Sequence, residues 1–373
     1  VRQPGGNVPI PFFRPELPDL DAYVEQLRGI WSSRMLSNFA EHSQGLEALA
    51  SDELGVDHVL AVSSGDAGLM LLLRALDLAA GSPCFVADFT FQSTVNAPVW
   101  AGLRPVLVDV DPHTFCMDPG ALAEAVARHP GPGVVLPTHT FGNPCDVEAL
   151  EAVAASAGLR LVFDAAHAYG SRRAGASSGA LGEAAVFSLS ATKLVTSAEG
   201  GLIATDDADL ADRLRYLRGY GFQHDYRSVA IGMNGKMSEL HAALGELTLA
   251  RIGDAVARRQ EIVARYRSGL GDAVGWQVVA PADVCTYKDV SVVVGSEAPE
   301  VGEAMAAAGI ATKRYFVPLH EQRPYAAFAD GPLPVSRRLH ETSLCLPAFG
   351  ELTDEQIDRV CSCLLTSVST ERP

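Results

Sequence analysis

The 373-residue sequence has no apolar run approaching the roughly eighteen residues that a membrane-spanning helix needs; its densest stretch, 69–73, is broken by Arg74 and Asp77. A membrane span is therefore not expected. Positive charge is scarce, with 29 Lys and Arg against 45 Asp and Glu and a net charge of -16. Such a mean field repels nucleic acids and anionic membrane surfaces, so neither is an expected partner. The seven cysteines are scattered, with no C-x-x-C pair and no histidines at zinc spacing. That pattern argues against a disulfide framework or a zinc site and for reduced thiols in a cytoplasm, with no metal. No basic start followed by an apolar stretch is present near Val1, so export is not expected. Also missing is a Gly-rich strand-to-helix turn for a nicotinamide dinucleotide: residues 175–182 come nearest, with the wrong glycine spacing.

What is present is globular composition, 48% hydrophobic and 20% charged, in a chain long enough for two packed units. Residues 1–45 are Pro-rich and read as an arm with one helix near 19–30. Short apolar or β-branched runs follow at 85–87, 105–108, 134–136, 159–163, 185–189 and 202–204, separated by Ala/Leu/Glu-rich helical stretches. This alternation predicts an α/β fold, a mostly parallel central sheet sandwiched by helices, over 46–250. After a long helical segment at about 236–270, strands near 276–279 and 290–294 and helices near 299–308 and 353–365 predict a smaller C-terminal α+β domain over 251–373.

Open parallel sheets bind ligands beyond the carboxyl ends of their strands, which directs attention to four strand exits. Lys193, in Ser188-Leu-Ser-Ala-Thr-Lys193, is a Schiff-base candidate if its ammonium is partly desolvated. Asp164, at the end of the 159–163 run, can pair with a pyridinium nitrogen, and His167 lies three residues on. The turn at 63–68 leads into a helix whose first backbone N–H groups suit a phosphate. Phe91, after the 85–87 run, offers an aromatic face. Singly, each has a plainer reading as a solvated lysine, a turn-capping carboxylate, an ordinary N-cap or a core ring. Their joint order along the chain is far more specific.

That order, carried by SSGDAGL (63–69), FTFQSTVNAPVWAGLRPVLVDVDP (89–112), THTFGNPCD (138–146), FDAAHAYGS (163–171), FSLSATKLVTSAEGGLIATDD (187–207), NGKMSELHAALG (234–245) and RYFVPLH (314–320), resembles the DegT-type sugar aminotransferases. The resemblance covers nearly the whole chain. It implies an aspartate-aminotransferase-like, fold type I architecture and pyridoxal 5'-phosphate as cofactor. Lys193 would then carry the Schiff base and move the proton, Asp164 would hold the pyridine nitrogen, His167 would lie beside the ring, and Phe91 would stack on its face. Gly65, Asp66, Ala67 and Ser188 would meet the phosphate, with Asn234 reaching in from the neighbouring subunit of a homodimer whose active site is shared.

The implied reaction moves an amino group from L-glutamate to a nucleotide-diphosphate keto sugar. By resemblance around AGLM, FDAAHA and NGKMSE, the acceptor is dTDP-4-keto-6-deoxy-D-glucose, giving dTDP-4-amino-4,6-dideoxy-D-glucose. A 3-keto sugar, a keto-inositol, or a non-catalytic regulatory role with bound cofactor are the nearest alternatives. A dehydratase on this scaffold would replace the lysine with histidine, which Lys193 argues against. One departure stands out: the family pattern has Thr where this chain has Asp66, and a carboxylate there repels a phosphate unless it caps its own helix or meets a cation. Arg14, Arg218, Lys313 and Arg314 are candidate cations for the nucleotide diphosphate.

Overall fold

The computed structural model describes residues 8–223, 226–295 and 298–368. Its main elements run α1 (Leu20–Ser33), α2 (Glu41–Leu54), β1 (His58–Val62), α3 (Gly65–Ala75), β2 (Pro83–Ala87), α4 (Gln92–Ala101), β3 (Arg104–Val108), α5 (Pro119–Arg128), β4 (Val134–Leu136), α6 (Val147–Ala157), β5 (Arg160–Asp164), β6 (Arg172–Arg173), β7 (Ala176–Ser177), β8 (Ala184–Ser188), β9 (Gly201–Thr205), α7 (Ala208–Leu217), α8 (Glu239–Leu249), α9 (Ile252–Leu270), β10 (Gly275–Trp276), β11 (Val290–Val293), α10 (Ala298–Ala307), α11 (Pro334–Thr342), β12 (Ser343–Leu346) and α12 (Asp354–Val368).

Seven strands form the large sheet in the order β1-β9-β8-β5-β4-β2-β3. The pairs β2/β3, β2/β4, β4/β5 and β5/β8 are parallel, and only the pairs made by β9 are antiparallel. The expected mostly parallel sheet is therefore observed. Its strands are apolar along their length because helices cover both faces: Phe85, Phe163 and Phe187 enter one core, and Val86, Val162 and Val186 the other. Helix starts follow local chemistry. Ser64, Asp118, Asp146, Asp207 and Ser238 each accept a hydrogen bond from the backbone N–H three residues on, which supplies a partner that the first helical turn otherwise lacks.

A second sheet, β10-β11-β12, carries its own core with α9, α10 and α12. Ile10 belongs to that core, although it lies near the other end of the chain: its N–H donates to Gly309 O (2.9 Å) and its carbonyl accepts from Ala311 N–H (3.0 Å). Glu16 fastens the same stretch by accepting from Gly350 N–H (2.6 Å). Three differences from the sequence reading have local causes. The run at 58–62 is the strand β1, and 343–346 is the strand β12. The single helical segment at 236–270 is two helices, broken at residues 250–251. Among the described residues no helix is long and apolar enough to cross a membrane.

Candidate active site

A cavity of about 340 Å³ opens beyond the carboxyl ends of β5 and β8, bounded by the start of α3 and the segment leading into α4. Lys193, Asp164, His167, Phe91, Gly65, Asp66 and Ser188 all line it. Four strand exits distant in sequence thus meet in one place, as the parallel sheet requires. Lys288, Asp289, Tyr315 and Phe316, from the chain beyond α9, complete the lining.

Asp164 ends β5 and is buried. Thr94 Oγ1 donates to its Oδ2 (2.7 Å) and Ala166 N–H to its Oδ1 (3.0 Å), while Thr90 bridges Thr94 and Thr138 by hydroxyl contacts of 3.0 and 2.8 Å. Burial raises its pKa, and the two hydrogen bonds and nearby Lys193 oppose the rise. Among the described residues it has no ion-pair partner. A buried carboxylate held by donors yet without a cation is what a protonated pyridine nitrogen fits.

Lys193 lies in a loop between β8 and β9, fixed by Leu189 N–H to Gly200 O (2.8 Å), Ser197 N–H to Leu189 O (2.9 Å) and its own N–H to Ser190 O (3.0 Å). Burial, then the like charge of Lys288, bring its pKa down to about 7, with Asp289, Asp164 and Asp66 opposing. Half of its side chains are thus neutral near pH 7, and below that the nucleophilic fraction falls about tenfold per pH unit. Covalent capture of added pyridoxal phosphate by the apoprotein should accordingly rise with pH to a midpoint near 7 and then level off. Stopped-flow absorbance measures this, and a midpoint near the ordinary lysine value would contradict the desolvated setting.

His167 accepts from Phe141 N–H through Nδ1 (3.3 Å) and lies beside the rings of Phe141 and Phe316, near-parallel to both at 12° and 5° and 6.2 Å from each. Burial, followed by Lys193 and Lys288, holds its pKa well below the usual value. The imidazole is therefore neutral, and with Nδ1 accepting, its proton sits on Nε2. Phe91 precedes α4 with its ring 52% exposed, which leaves a face free for stacking.

The turn before α3 is built by close approach. A Cβ on Gly65 would stand 3.0 Å from Ser188 Cβ, and one on Gly201 would stand 2.7 Å from the Ser64 carbonyl carbon. At Gly201 only glycine lets the two backbones meet, and at Gly65 a larger residue would push Ser188 aside. Ser64, not Asp66, caps α3, through its Oγ and Ala67 N–H (3.1 Å). Ala67 is consequently engaged and absent from the cavity lining, while Gly65 and Asp66 remain at the helix start facing the cavity. The Asp66 carboxylate is exposed there. Asp66→Thr should therefore bind pyridoxal phosphate at least as tightly as the wild type, and a large loss on titration would refute repulsion by Asp66.

Asn234 is exposed and lies outside this cavity. Among the candidate cations, Arg218 is structural: it is buried, donates to Ala61 O (2.7 Å) and Glu47, and stacks on Phe39 at 4.2 Å. Arg14 pairs with Glu351 (2.7 Å), Arg314 donates to His340 O (2.8 Å), and Lys313 meets the Tyr315 hydroxyl (3.2 Å). None of these four lines the cavity. The sequence reading missed Lys288 and Asp289, a charged doublet whose one signal was its place directly before the apolar run of β11.

The residues therefore fit a planar, phosphorylated pyridine cofactor. A family model described as the DegT/DnrJ/EryC1/StrS aminotransferase family matches residues 20–365. A GDP-perosamine synthase of Caulobacter vibrioides is 33% identical over 328 residues, 85% of this chain and 88% of the relative. A dTDP-4-amino-4,6-dideoxy-D-glucose transaminase of Shigella dysenteriae is 29% identical over 362 residues, 95% and 98% of the two chains. Among solved structures, DesI in the presence of its TDP-sugar product superposes with a TM-score of 0.90 at 35% identity, over 97% of this chain and 94% of that one.

Proposed function

The chain belongs to the DegT/DnrJ/EryC1/StrS aminotransferase family and is a pyridoxal-phosphate-dependent nucleotide-sugar aminotransferase; from that premise we propose that it moves the amino group of L-glutamate to C4 of dTDP-4-keto-6-deoxy-D-glucose. The observation carrying this reading is the convergence of Lys193, Asp164, His167, Phe91 and the Gly65 turn on one cavity. The choice of sugar and carbon is supported by the resemblance of the Asp164-to-His167 motif and by the names of the Shigella relative and of DesI with its TDP-sugar product. The Caulobacter relative is named for a GDP sugar, so the nucleotide belongs among the variables of the test.

When bound, the cofactor carries the amino group between substrates and supplies an electron sink for the adjacent carbanion. The chain's residues do the rest. Lys193 Nζ takes the proton from the α-carbon of the amino donor, and in the second half-reaction it delivers one to the sugar carbon that receives nitrogen. Asp164 presents a carboxylate fixed by Thr94 and Ala166 to the ring nitrogen. His167 presents Nε2–H at the cavity wall, and Gly65, Asp66 and Ser188 present helix-start and hydroxyl groups to the phosphate.

The partner is a second copy of the chain. Support comes from large apolar side chains left exposed in the single chain, Trp31 at 67%, Trp100 at 79% and Ile231 at 82%, and from Asn234, which is exposed and outside the cavity of its own chain. The functional test supplies L-glutamate with dTDP-, UDP- and GDP-linked 3-keto and 4-keto sugars, follows 2-oxoglutarate, and locates the new C–N bond by NMR. Amination of the dTDP 4-keto sugar at C4 is expected; amination at C3 would overturn the regiochemistry.

A further inference from the structure

Lys288 and Asp289 form an ion pair inside the cavity wall, with Lys288 Nζ 3.0 and 2.9 Å from the two carboxylate oxygens. The two side chains are only 7% and 4% exposed. Burying such a pair is unfavourable unless the remaining hydrogen-bonding capacity is met. An ammonium has three donors and each carboxylate oxygen two lone pairs. Among the described residues no other side-chain hydrogen bond is made by either group, so one N–H and two lone pairs are left over. Both residues line the cavity that holds Lys193.

The position of the pair is fixed from two directions. Lys288 N–H donates to Phe141 O (2.9 Å), and Phe141 N–H in turn donates to His167, which sets Lys288 on the His167 side of the cavity. The Tyr315 ring lies 5.9 Å from Lys288 Nζ. The phosphate is assigned above to Gly65, Asp66 and Ser188, which leaves this pair to another group. Two kinds of substrate group enter the cavity next to Lys193. A donor carboxylate only accepts hydrogen bonds, so it would meet the single N–H and be repelled by Asp289. A sugar hydroxyl both donates and accepts, and it matches a net-neutral pair that offers one donor beside two acceptors.

We propose that Lys288 and Asp289 together read a ring hydroxyl of the acceptor sugar, and so set which keto sugars are aminated. This rests on the sugar-aminotransferase reading above and deepens it. A site built to hydrogen-bond a hydroxyl rejects the analogue lacking it, because its buried polar groups are then left unpaired.

The test compares the wild-type holoenzyme with the double variant Lys288→Met/Asp289→Leu, which removes the donors and acceptors while keeping the volume. One cation and one anion are removed together, and because they act on Lys193 in opposite senses, the amine is left near its original setting. Asp289→Asn alone serves as a second variant, and the melting temperature of each checks folding. Readouts are pyridoxal phosphate affinity, the rate of the half-reaction with L-glutamate, and KM and kcat for the keto sugar and for analogues lacking one ring hydroxyl.

The wild type should prefer the hydroxylated sugar over one of the deoxy analogues by about tenfold or more in kcat/KM. In the double variant that preference should collapse towards unity, with the loss concentrated in the sugar half-reaction. A variant that keeps the full preference overturns the assignment, as does a loss located in the glutamate half-reaction or in cofactor affinity. A wild type that turns over none of the keto sugars overturns the substrate reading, and this inference with it.

Discussion

Lys193→Ala should lower the rate of transamination by about 10⁴-fold or more, because in the proposed mechanism one amine holds the cofactor and also moves the proton in both half-reactions. The folded structure should survive, since the Lys193 side chain makes no hydrogen bond among the described residues and its loop is fastened by the backbone contacts of Leu189 and Ser197. Single-turnover absorbance changes on adding L-glutamate measure the effect. A small added amine should restore part of the rate, since it supplies a free base in the space vacated, and recovery should track the amine's neutral fraction. Lys193→Arg should not be rescued, because the guanidinium stays protonated and fills that space. A Lys193→Ala variant within tenfold of wild type would remove this residue from the chemistry.

Asp164→Asn should cost about 10²- to 10³-fold in kcat, the scale for deleting one preorganised electrostatic partner in a closed site. The substitution is isosteric: the amide oxygen can keep the bond from Ala166 N–H, and the amide NH2 can donate to a turned Thr94 hydroxyl, so the loss reflects mainly charge. Stability should move the other way. Burial raises the pKa of Asp164, meaning that the folded apoprotein disfavours its ionised form. The penalty is present at pH values above the ordinary carboxylate range and disappears as the group protonates at lower pH. An apoprotein carrying the amide should therefore melt no lower than wild type at neutral pH, and the difference should shrink in acid. Calorimetry across that range, set beside the kinetic loss, separates the two effects; a melting temperature that falls along with kcat would point to a structural role instead.

Much of this site was legible in the sequence for a physical reason. In a parallel sheet every ligand-facing residue lies just past an apolar run, so Asp164 after β5 and Lys193 after β8 stand at positions that the runs themselves announce. Helix starts were legible in the same way, because a serine or aspartate cap acts over three residues. The identity of the cap at α3 was less so: Ser64 and Asp66 are both good capping residues, and only the backbone geometry assigns the role to Ser64. The Lys288–Asp289 pair was invisible because an adjacent Lys-Asp doublet is usually a solvated turn, whereas here Phe141 and Tyr315, both far from it in sequence, pack against Lys288. Arg218 failed as a ligand-binding cation for the converse reason. Its charge is absorbed by Glu47 and the Ala61 carbonyl, contacts more than 150 residues away in sequence that no local pattern reports. The two strands that escaped notice, β1 and β12, each pair antiparallel with a single neighbour at the edge of their sheets.

The contacts of Ile10 and Glu16 with residues 309–311 and 350 bear on the order in which the molecule is made. The first of these segments leaves the ribosome about 300 residues before its partners, which at ordinary translation speeds is an interval of roughly 15–60 s. Throughout that time the apolar Ile10 side chain has no core to enter. The large sheet, with all its strands complete by residue 205, can form meanwhile, but the leading segment must wait for the last domain and then close a loop spanning nearly the whole chain. A segment made early thus docks late, and an upstream stretch becomes the seal on a downstream one.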